Sequence, residues 1–597
     1  MLTRPQAAAL VVALLVVPAA SAAERLTLSA SSAAVLSQDR ITVTWSIPGP
    51  SYARPKDVFV EDQPLPRQTS GPWLGLFADG ADLSRTLPLN VSEADGPNMA
   101  SAPYRWVNSI EREGSFTFVM DTNYRSDLQV VLLTGGFDLP IVLAARTLEI
   151  TDKGLPGQVH LAYADTDGAA LLVSWNSLYG ATQTLEYATS AGNWQPHASQ
   201  SAAVTYAASD MCGEPAAKQG WVDPGYTHRA LTGPLEAGAA YAYRVGSDTH
   251  GWTETFTFVA PTPPSADASG TVRVFLLADQ GEDFTEQGSH WHFQESSAQN
   301  TTSHMTLMAE AAHYDAVYHY GDLSYATGYL SLWDRFMTAI EPLAATTPYH
   351  TSQGNHEQDW GTSPSTASNI TGCGGGECPP ALWRGTDSGG ECGVPTEARF
   401  QMPASPLVTQ FEGWYVVRQG PVSFVVWNAE LPWIPGSDQY AWLEQTLQAV
   451  DRKATPWVVM TTHRPLVSAL AINGDLEKIE PLLLEYKVDL SLYGHLHWAE
   501  VTCPMANGEC VVDTDEDGWA AVTHMVTGNA GQKMAGPFPD PAGEYSKWSM
   551  TEHGFATLEA SSTELLVQFW GDGPCDALPP LRHNVTMSRA YPRAAAP

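Results

Sequence analysis

Five short polar clusters between residues 278 and 497 carry side chains that bind metal ions. The clusters span residues 278–281, 321–325, 354–357, 460–463 and 494–497. They contain seven side chains with oxygen or imidazole nitrogen ligands: Asp279, Asp322, Tyr325, Asn355, His463, His495 and His497. Hard divalent and trivalent metal ions take such ligands. Two ions about 3.5–4 Å apart neutralise both the attacking and the leaving oxygen of a phosphoester, so the set predicts a two-metal hydrolase.

Most of the clusters follow apolar, β-rich runs that must position them. Residues 272–278, 457–460 and 488–493 each predict a buried strand of a parallel sheet. Ligands bind outside the carboxyl ends of such strands, so we expect the clusters to converge on one edge of a sheet. Helical spacing predicts helices over residues 303–313, 329–343, 439–450 and 475–486. This alternation of strands and helices indicates an α/β domain over residues 268–590.

Two stretches of short predicted strands precede this domain. Residues 24–150 predict an N-terminal β-sandwich from runs at 40–45, 73–77, 115–120 and 128–133. Residues 153–262 predict a second β unit from runs at 171–175, 183–187, 240–245 and 253–259. The Pro-rich residues 260–264 predict a stiff linker to the α/β domain. Since neither β unit contains a catalytic cluster, we expect the chemistry to lie in the α/β domain.

Asp322 lies midway in the ligand set, so its carboxylate is the natural bridge between two metal ions. The remaining ligands then divide into Asp279, Tyr325 and His497 at one site, and Asn355, His463 and His495 at the other. Tyr325 indicates which metal ion the first site binds. A phenolate is a poor ligand for Zn²⁺ or Mg²⁺ at neutral pH, whereas trivalent iron lowers the phenol pKa enough to bind it. The hypothesis is therefore Fe³⁺ at the first site and Zn²⁺, Mn²⁺ or Fe²⁺ at the second.

The N-terminus predicts secretion. Arg4, the apolar residues 7–17 and the small residues 20–22 predict a signal peptide over residues 1–22. The rest of the sequence has neither a bilayer-spanning run nor the C-terminal hydrophobic tail of a lipid-anchored protein. We therefore expect a secreted or vacuolar protein without a membrane anchor. Four sequons fit a glycoprotein: Asn90, Asn300, Asn369 and Asn584.

Seven cysteines fit an oxidising compartment: Cys212, Cys373, Cys378, Cys392, Cys503, Cys510 and Cys575. We expect Cys503 to pair with Cys510 because they are close in the chain. An odd count leaves one thiol free or intermolecular. A zinc site built from Cys373, Cys378 and Cys392 would lack an evident fourth ligand.

The charge balance limits the partners. The formal net charge is −35, and it becomes −36 when Arg4 is removed with the signal peptide. Such a protein repels polyanions, so duplex nucleic acid is excluded as a partner, and small phosphorylated molecules are the expected substrates. Metal ions would supply the local positive charge that phosphate binding needs.

Longer stretches around the clusters resemble a known family. Residues 321–330, 354–360 and 387–395 are similar to signature blocks of the purple acid phosphatases, in the large plant-type branch of the metallophosphoesterase superfamily. Residues 73–77 resemble an extra N-terminal β domain of the same branch. The resemblance implies a multidomain fold, with two N-terminal β-sandwich domains, the second of them fibronectin-III-like. An α/β metallophosphoesterase sandwich of the calcineurin-like type follows.

The family implies an Fe³⁺–M²⁺ pair, a metal-bound hydroxide nucleophile and hydrolysis of phosphate esters or anhydrides at acidic pH. By position, Asp279, Asp322, Tyr325 and His497 match its Fe³⁺ ligands, and Asp322, Asn355, His463 and His495 match its M²⁺ ligands. The wider superfamily has a histidine where this chain has Gly281, and Tyr325 can fill that vacancy. His356 matches a catalytic histidine that contacts substrate phosphate beside Asn355 and helps to protonate the leaving group.

Arg464 marks a departure from the smaller plant enzymes, which carry further active-site histidines soon after the position of His463. Residues 464–494 contain no histidine. Arg464 could bind substrate phosphate instead, or it could be structural because it precedes Pro465. The resulting prediction is a secreted acid phosphatase that acts on phosphate monoesters or anhydrides. The alternatives are a nucleotide pyrophosphatase or phosphodiesterase, and a metal-binding secreted protein without turnover.

Overall fold

The structure of the chain is a computed structural model that describes most of the sequence. The described residues are 27–35, 40–47, 72–79, 105–107, 110–111, 113–120, 123–134, 141–190, 196–265, 270–282, 297–358, 387–403, 413–431, 433–472, 476–539 and 542–589. Several sequence predictions lie outside these residues: the signal peptide 1–22, the sequons at Asn90 and Asn369, and the thiols of Cys373 and Cys378.

The first domain is a sandwich of two β-sheets. Its strands are β1 (Thr27–Ala30), β2 (Ala34–Val35), β3 (Arg40–Ser46), β4 (Trp73–Ala78), β5 (Arg105–Val107), β6 (Glu113–Val119), β7 (Leu128–Thr134) and β8 (Ile141–Ile150). One sheet has the order β1-β3-β6 and the other the order β2-β8-β7-β4-β5. Alternating burial along β3 places Ile41, Val43 and Trp45 in the core, as its sequence alternation predicts.

The second domain is also a two-sheet sandwich. Its strands are β9 (Gly157–Tyr163), β10 (Leu171–Ser177), β11 (Thr184–Thr189), β12 (His197–Gln200), β13 (Ala202–Val204), β14 (Tyr226–Leu231), β15 (Ala240–Ser247), β16 (Gly251–Trp252) and β17 (Phe256–Val259). The sheets have the orders β13-β14-β10-β9 and β12-β11-β15-β16, and β17 pairs with β15. Trp175 and Tyr243 are fully buried in its core, and residues 208–210 form a 3₁₀ turn.

The third domain alternates strands and helices. Its strands are β18 (Val272–Leu277), β19 (Ala316–Tyr320), β20 (Tyr349–Ser352), β21 (Tyr415–Gln419), β22 (Val422–Val426), β23 (Trp457–Thr462), β24 (Val467–Ser468), β25 (Ala471–Ile472), β26 (Leu490–Tyr493), β27 (Ala499–Ala506), β28 (Glu509–Cys510), β29 (Val522–Thr527), β30 (Ser546–Met550), β31 (Gly554–Ala560), β32 (Glu564–Gly571) and β33 (Leu581–Ser588). Its helices are α1 (Ala298–Ala311), α2 (Leu330–Ala344), α3 (Val394–Arg399), α4 (Asp438–Gln448) and α5 (Leu476–Glu485). The predicted fold class, two β-sandwich domains followed by an α/β sandwich, is confirmed.

Two mixed sheets form the centre of the third domain. The first has the order β20-β19-β18-β31-β32-β33, and the second runs β21-β22-β23-β26-β29-β27-β28 with β30 on β27. Within the first sheet β18, β19 and β20 are parallel, and within the second β22, β23, β26 and β29 are parallel. The two groups meet at their carboxyl ends, where Ala278 N–H donates to the main-chain oxygen of Thr527 at 3.2 Å.

A buried ion pair joins the three domains. Arg125 of the first domain donates to Asp334 of α2 through Nη1 at 3.1 Å and Nη2 at 2.5 Å. Gln158 of the second domain donates to the same carboxylate at 3.1 Å. Because Arg125 and Asp334 are both buried, loss of Arg125 would leave a buried carboxylate whose remaining cation, Arg399, is 3.8 Å away, which is destabilising. The pair therefore fixes both β domains against the α/β domain.

The cysteines bear on two predictions. The expected pair Cys503–Cys510 is confirmed, and a second disulfide joins Cys212 to Cys392. Because its sulfur is in that disulfide, Cys392 cannot serve in the zinc site considered with Cys373 and Cys378. Cys575 is a free, exposed thiol in the described part of the chain. Across these residues, the helices are all too short or too polar to cross a lipid bilayer.

Candidate metal centre

All seven predicted ligand residues stand just beyond the carboxyl ends of five strands. Asp279 follows β18, Asp322 and Tyr325 follow β19, and Asn355 follows β20, all in the first sheet. In the second sheet, His463 follows β23, and His495 and His497 follow β26. The prediction of a single sheet edge was therefore wrong. The ligands come from two sheets, because the chain divides its parallel strands between them and brings their ends together.

Four of the seven ligand residues have left-handed backbone conformations. Their φ angles are +62° at Asp279, +51° at Asp322, +49° at Tyr325 and +68° at His495. Such conformations cost on the order of 1–3 kcal/mol each for a residue with a side chain and are found where a site requires them. At Gly321, whose φ is +99°, an added Cβ would lie 2.6 Å from Nδ1 of His463. The backbone thus approaches the histidine too closely for any other residue.

The first half of the centre surrounds the hydroxyl of Tyr325. This oxygen lies 3.1 Å from Oδ1 of Asp279, 3.2 Å from Oδ2 of Asp322 and 3.2 Å from Nε2 of His497. Nε2 of His497 in turn lies 3.4 Å from Oδ1 of Asp279. Two ligands at right angles, each about 2.1 Å from a metal ion, are about 3 Å apart, so these spacings fit one ion.

The second half surrounds the amide oxygen of Asn355. Oδ1 of Asn355 lies 3.2 Å from Nε2 of His463 and 2.9 Å from Nδ1 of His495. Nε2 of His463 is also 3.2 Å from Oδ2 of Asp322. Potential ligand atoms of Asp322, His463 and His495 all lie within 4.8 Å of one another. Oδ2 of Asp322 therefore contacts both halves, as a bridging carboxylate must.

The donor set fits cations rather than a hydrogen-bonded core. Nδ1 of His463 lies 3.2 Å from the Tyr320 carbonyl and Nδ1 of His497 lies 2.7 Å from the Lys533 carbonyl. Each Nδ1–H donates there, which directs the Nε2 lone pair toward the carboxylates of Asp322 and Asp279. Lone pairs of nitrogen, carboxylate and amide oxygen thus face one another, an arrangement that a metal ion stabilises.

The electrostatics of the metal-free chain agree with this assignment. Burial lowers the pKa of His463, but Asp322 and Asp279 outweigh it and raise that pKa to about 9. Burial raises the pKa of Asp322, yet His463 and His356 hold it well below its usual range. Without metal, a proton therefore lies between His463 and Asp322 where a cation would bind. Burial, with Asp279 and Asp322 beside it, raises the pKa of Tyr325 well above its usual range.

The predicted substrate-contacting residues His356 and Arg464 lie beside the two ligand sets. The His356 ring packs against Tyr325 with centroids 4.6 Å apart, and its Nε2 is 3.9 Å from Oδ2 of Asp322. Nε of Arg464 donates to the buried carboxylate of Glu430 at 2.6 Å, and its Nη1 is 3.4 Å from Nε2 of His495. Both side chains thus reach the centre.

Three acidic residues around the centre escaped sequence analysis. The carboxylate of buried Glu357 accepts the main-chain N–H groups of Asp322, Leu323 and Gly354 at 2.8, 2.8 and 2.9 Å. Burial, followed by the charge of Asp322, raises the pKa of Glu357 to about 8. Glu430 holds Arg464, and Asp387 accepts from Asn355 at 3.1 Å. Glu357 and Asp387 lie in the family-like stretches 354–360 and 387–395. That position was the one sequence signal that could have pointed to them.

Three family sequence models match successive parts of the chain. "Purple acid Phosphatase, N-terminal domain" matches residues 156–260, and "Calcineurin-like phosphoesterase" matches residues 247–499. "Iron/zinc purple acid phosphatase-like protein C" matches residues 521–574. The matched ranges include all seven predicted ligand residues.

Individual relatives cover most of the chain. "Probable inactive purple acid phosphatase 24" of Arabidopsis thaliana is 31% identical over 532 residues, which are 84% of this chain and 82% of that protein. The "Nucleotide pyrophosphatase/phosphodiesterase" of Hordeum vulgare is 32% identical over 331 residues, which are 53% of this chain and 84% of that protein. The solved purple acid phosphatase PPD1 from yellow lupin (Lupinus luteus) seeds superimposes with a TM-score of 0.79 and 28% identity, covering 94% of this chain and 96% of the lupin chain.

Proposed function

Because the chain belongs to the purple acid phosphatase family, we propose that it is a secreted acid phosphatase with a dinuclear metal centre. Its substrates are small phosphate monoesters or anhydrides. The observation that carries the proposal is the position of Oδ2 of Asp322. This atom is 3.2 Å from the Tyr325 hydroxyl and 3.2 Å from Nε2 of His463. One carboxylate thus joins two complete ligand sets.

The first set, Asp279, Asp322, Tyr325 and His497, would hold Fe³⁺. Tyr325 supports a trivalent ion, because its buried phenol between two carboxylates resists ionisation unless a strong Lewis acid replaces the proton. The second set, Asp322, Asn355, His463 and His495, would hold Zn²⁺, Mn²⁺ or Fe²⁺. Such a metal pair lowers the pKa of water to give a nucleophile near neutral pH and neutralises the charge that develops on phosphate.

His356 is the proposed catalytic residue. Its ring packs between Tyr325 and the segment at Asp387, whose carbonyl oxygen lies 3.2 Å from Nδ1. When Nδ1–H donates to that carbonyl, Nε2 is directed toward the centre, 3.9 Å from Asp322. A proton on Nε2 can then be given to the leaving-group oxygen of a phosphate ester. Beside it, Asn355 would contact the substrate as well as the metal.

Arg464 is the proposed phosphate-binding cation. Burial lowers the pKa of Arg464, but Glu430 outweighs it, so the pKa is raised and the guanidinium stays charged. The Glu430 carboxylate accepts from Nε at 2.6 Å, and Nη1 lies 3.4 Å from Nε2 of His495, so the guanidinium is held beside the second ligand set. A planar guanidinium held in this way suits phosphate oxygens. In a chain of net charge −35, it provides positive charge where an anionic substrate must bind.

A nucleotide pyrophosphatase or phosphodiesterase is the second candidate. Arg464 favours it, because a guanidinium binds a second phosphate but cannot protonate a leaving group. Phosphoanhydrides release a phosphate that needs little protonation. The name of the barley relative, a nucleotide pyrophosphatase/phosphodiesterase, points the same way. A third candidate is a secreted metal-binding protein without turnover, in line with the name of the Arabidopsis relative. The filled ligand positions and the presence of His356 speak against that candidate.

The proposed location is extracellular or vacuolar. Two disulfides support an oxidising compartment, since such bonds are rare in the cytosol. Of the sequons in the described residues, Asn584 is exposed on β33, so a glycan can be accommodated there. The signal peptide over residues 1–22 remains the basis for secretion, and no membrane anchor is proposed.

The test combines a visible spectrum, metal analysis and paired substrates on one purified sample. We expect about one iron and one further metal per chain, a broad visible band and faster hydrolysis of p-nitrophenyl phosphate at pH 5 than at pH 8. Faster turnover of bis-p-nitrophenyl phosphate or a nucleoside diphosphate than of the monoester would favour the second candidate. Colourless protein holding only zinc or manganese would overturn the iron assignment, and protein that binds no metal would overturn the enzyme assignment.

A further inference from the structure

Asp387 contacts two neighbouring residues of the centre, Asn355 and His356. The side-chain oxygen Oδ2 of Asp387 accepts a hydrogen bond from Nδ2 of Asn355 at 3.1 Å. The main-chain oxygen of the same residue lies 3.2 Å from Nδ1 of His356. Asp387 thus acts on Asn355 through its side chain and on His356 through its backbone. A side-chain substitution separates the two effects.

The contact with Asn355 decides which end of an amide faces the metals. Only the amide oxygen can bind a cation, because the NH₂ group offers two donors and no lone pair. In the structure Oδ1 lies 3.2 Å from Nε2 of His463 and 2.9 Å from Nδ1 of His495, on the side of the second metal. A flipped amide would direct N–H groups at that ion. The Asp387 carboxylate opposes the flip, because a flipped amide would place its oxygen against another oxygen.

Several contacts hold Asp387 in place. Ser388 is buried, and its hydroxyl accepts the N–H of Glu391 at 3.0 Å and that of Cys392 at 3.2 Å. Cys392 is bonded to Cys212 of the second domain. The main-chain oxygen of Gly390 accepts the N–H of Cys212 at 3.0 Å. The segment is therefore braced from within and from the neighbouring domain, so an exposed carboxylate has a fixed position.

We propose that Asp387 is a positioning residue of the metal centre, which orients the amide of Asn355 so that its oxygen binds the second metal ion. The inference rests on the proposed two-metal function. It assigns Asp387 to the divalent site alone, because the Tyr325 hydroxyl and its neighbours Asp279 and His497 do not depend on Asn355. Groups that orient metal ligands from outside typically change metal affinity by roughly 10- to 100-fold.

The experiment measures divalent-metal affinity by calorimetry on protein that has been stripped of metal and reloaded with iron only. We expect Asp387→Ala to weaken Zn²⁺ and Mn²⁺ binding by roughly 10- to 100-fold and to keep the visible iron band. Asp387→Asn still presents an acceptor oxygen, so it should recover most of the affinity. Glu516→Ala removes an exposed carboxylate of the turn after β28 and serves as the charge control, with unchanged affinity.

A double variant guards against simple misfolding. Asn355→Asp has an oxygen at both ends of the side chain and needs no orienting partner. In that background the carboxylates of residues 355 and 387 repel each other, so Asp387→Ala should keep or raise the divalent affinity. Equal divalent affinity in Asp387→Ala and the wild type would overturn the proposal. So would a parallel loss of iron and divalent metal, or a further loss in the double variant. Failure of the proposed function is distinct, since the wild type would then bind no metal pair.

Discussion

The hydroxyl oxygen of Tyr325 lies 3.2 Å from Oδ2 of Asp322. Both residues belong to the loop after β19, and both have positive φ angles, +49° and +51°. Two residues of one tight loop thus carry a carboxylate and a phenol toward the same point. The phenol also reaches Asp279 from the neighbouring strand, at 3.1 Å. The loop therefore supplies two of the four ligands of the proposed trivalent site.

Replacing Tyr325 by phenylalanine should abolish the visible band. The variant keeps the ring that packs on His356 but removes the phenolate that would give charge-transfer colour with Fe³⁺. Iron per chain should fall, because Asp279, Asp322 and His497 remain as weaker ligands. Absorption spectra and metal analysis of matched samples measure both effects. Tyr179→Phe, at a tyrosine that is 42% exposed, is the control. A band that persists in Tyr325→Phe would rule out this tyrosine as its source.

Replacing His356 by alanine should lower kcat without removing the metals. General acid catalysis contributes typically 10²- to 10⁴-fold, so we expect losses of roughly that size for alkyl phosphates, whose leaving groups need a proton. The loss should shrink for p-nitrophenyl phosphate, whose leaving group does not. Steady-state kinetics across leaving groups, with metal content measured alongside, provide the test. Equal losses for both substrates would contradict a proton-donor role.

Replacing Arg464 by glutamine should affect both substrate binding and stability. Glu430 is buried with its Oε1 on the Arg464 guanidinium at 2.6 Å, and breaking a buried pair costs about 3–5 kcal/mol. The double variant Arg464→Gln/Glu430→Gln should regain most of the free energy of unfolding but keep the raised KM. Denaturant unfolding and KM for a nucleoside diphosphate separate the effects. A normal KM in the double variant would assign Arg464 a structural role only.

Replacing His350 by phenylalanine should reduce the sensitivity of the fold to acid. His350 is fully buried against Tyr163 and Tyr318, and neither ring nitrogen has a hydrogen-bond partner among the described residues. Burial lowers its pKa to about 3, whereas an unfolded histidine titrates near 6.5. The unfolded chain therefore binds more protons between these values, and the free energy of unfolding falls as pH decreases from about 6.5 toward 3.

At pH 5 this histidine should cost on the order of 2 kcal/mol relative to pH 8. We expect denaturant unfolding of His350→Phe to lose that much less stability between the two pH values than the wild type does. His197→Gln, at an exposed histidine on β12, is the control and should leave the pH dependence unchanged. An identical pH dependence in His350→Phe would show that the buried ring is not an acid-sensitive group.

Much of the fold could be predicted from local pattern. The run at 272–278 predicted β18, which spans Val272–Leu277, and the run at 73–77 predicted β4, which spans Trp73–Ala78. Helical spacing at 329–343 predicted α2, which spans Leu330–Ala344. The two strands are mainly apolar runs, and the helix has apolar residues at helical spacing. Both patterns are local and can therefore be recognised in the sequence. The division of the parallel strands into two sheets was not predictable in this way, because it depends on long-range pairings such as that of β18 with β31.

The metal ligands could be predicted from the sequence, but the residues that orient them could not. Asp279, His463 and His495 follow the runs 272–278, 457–460 and 488–493, where a polar side chain after an apolar run is visible in sequence. Asp387 lies 32 residues beyond Asn355, and nothing in its own neighbourhood points to an amide. The left-handed backbone at Asp322 was equally hidden, since its N–H and that of Leu323 donate to Glu357, a residue 35 positions further along the chain.

The bond between Cys212 and Cys392 makes the second domain more than a neighbour of the catalytic one. It fastens a sandwich that carries no reacting group to the stretch that touches Asn355 and His356. A truncated protein that begins at residue 268 would lose that fastening together with Gln158, a partner of Asp334. Because Arg125 of the first domain also pairs with Asp334, a stable protein for laboratory expression should include both sandwiches together with the α/β domain.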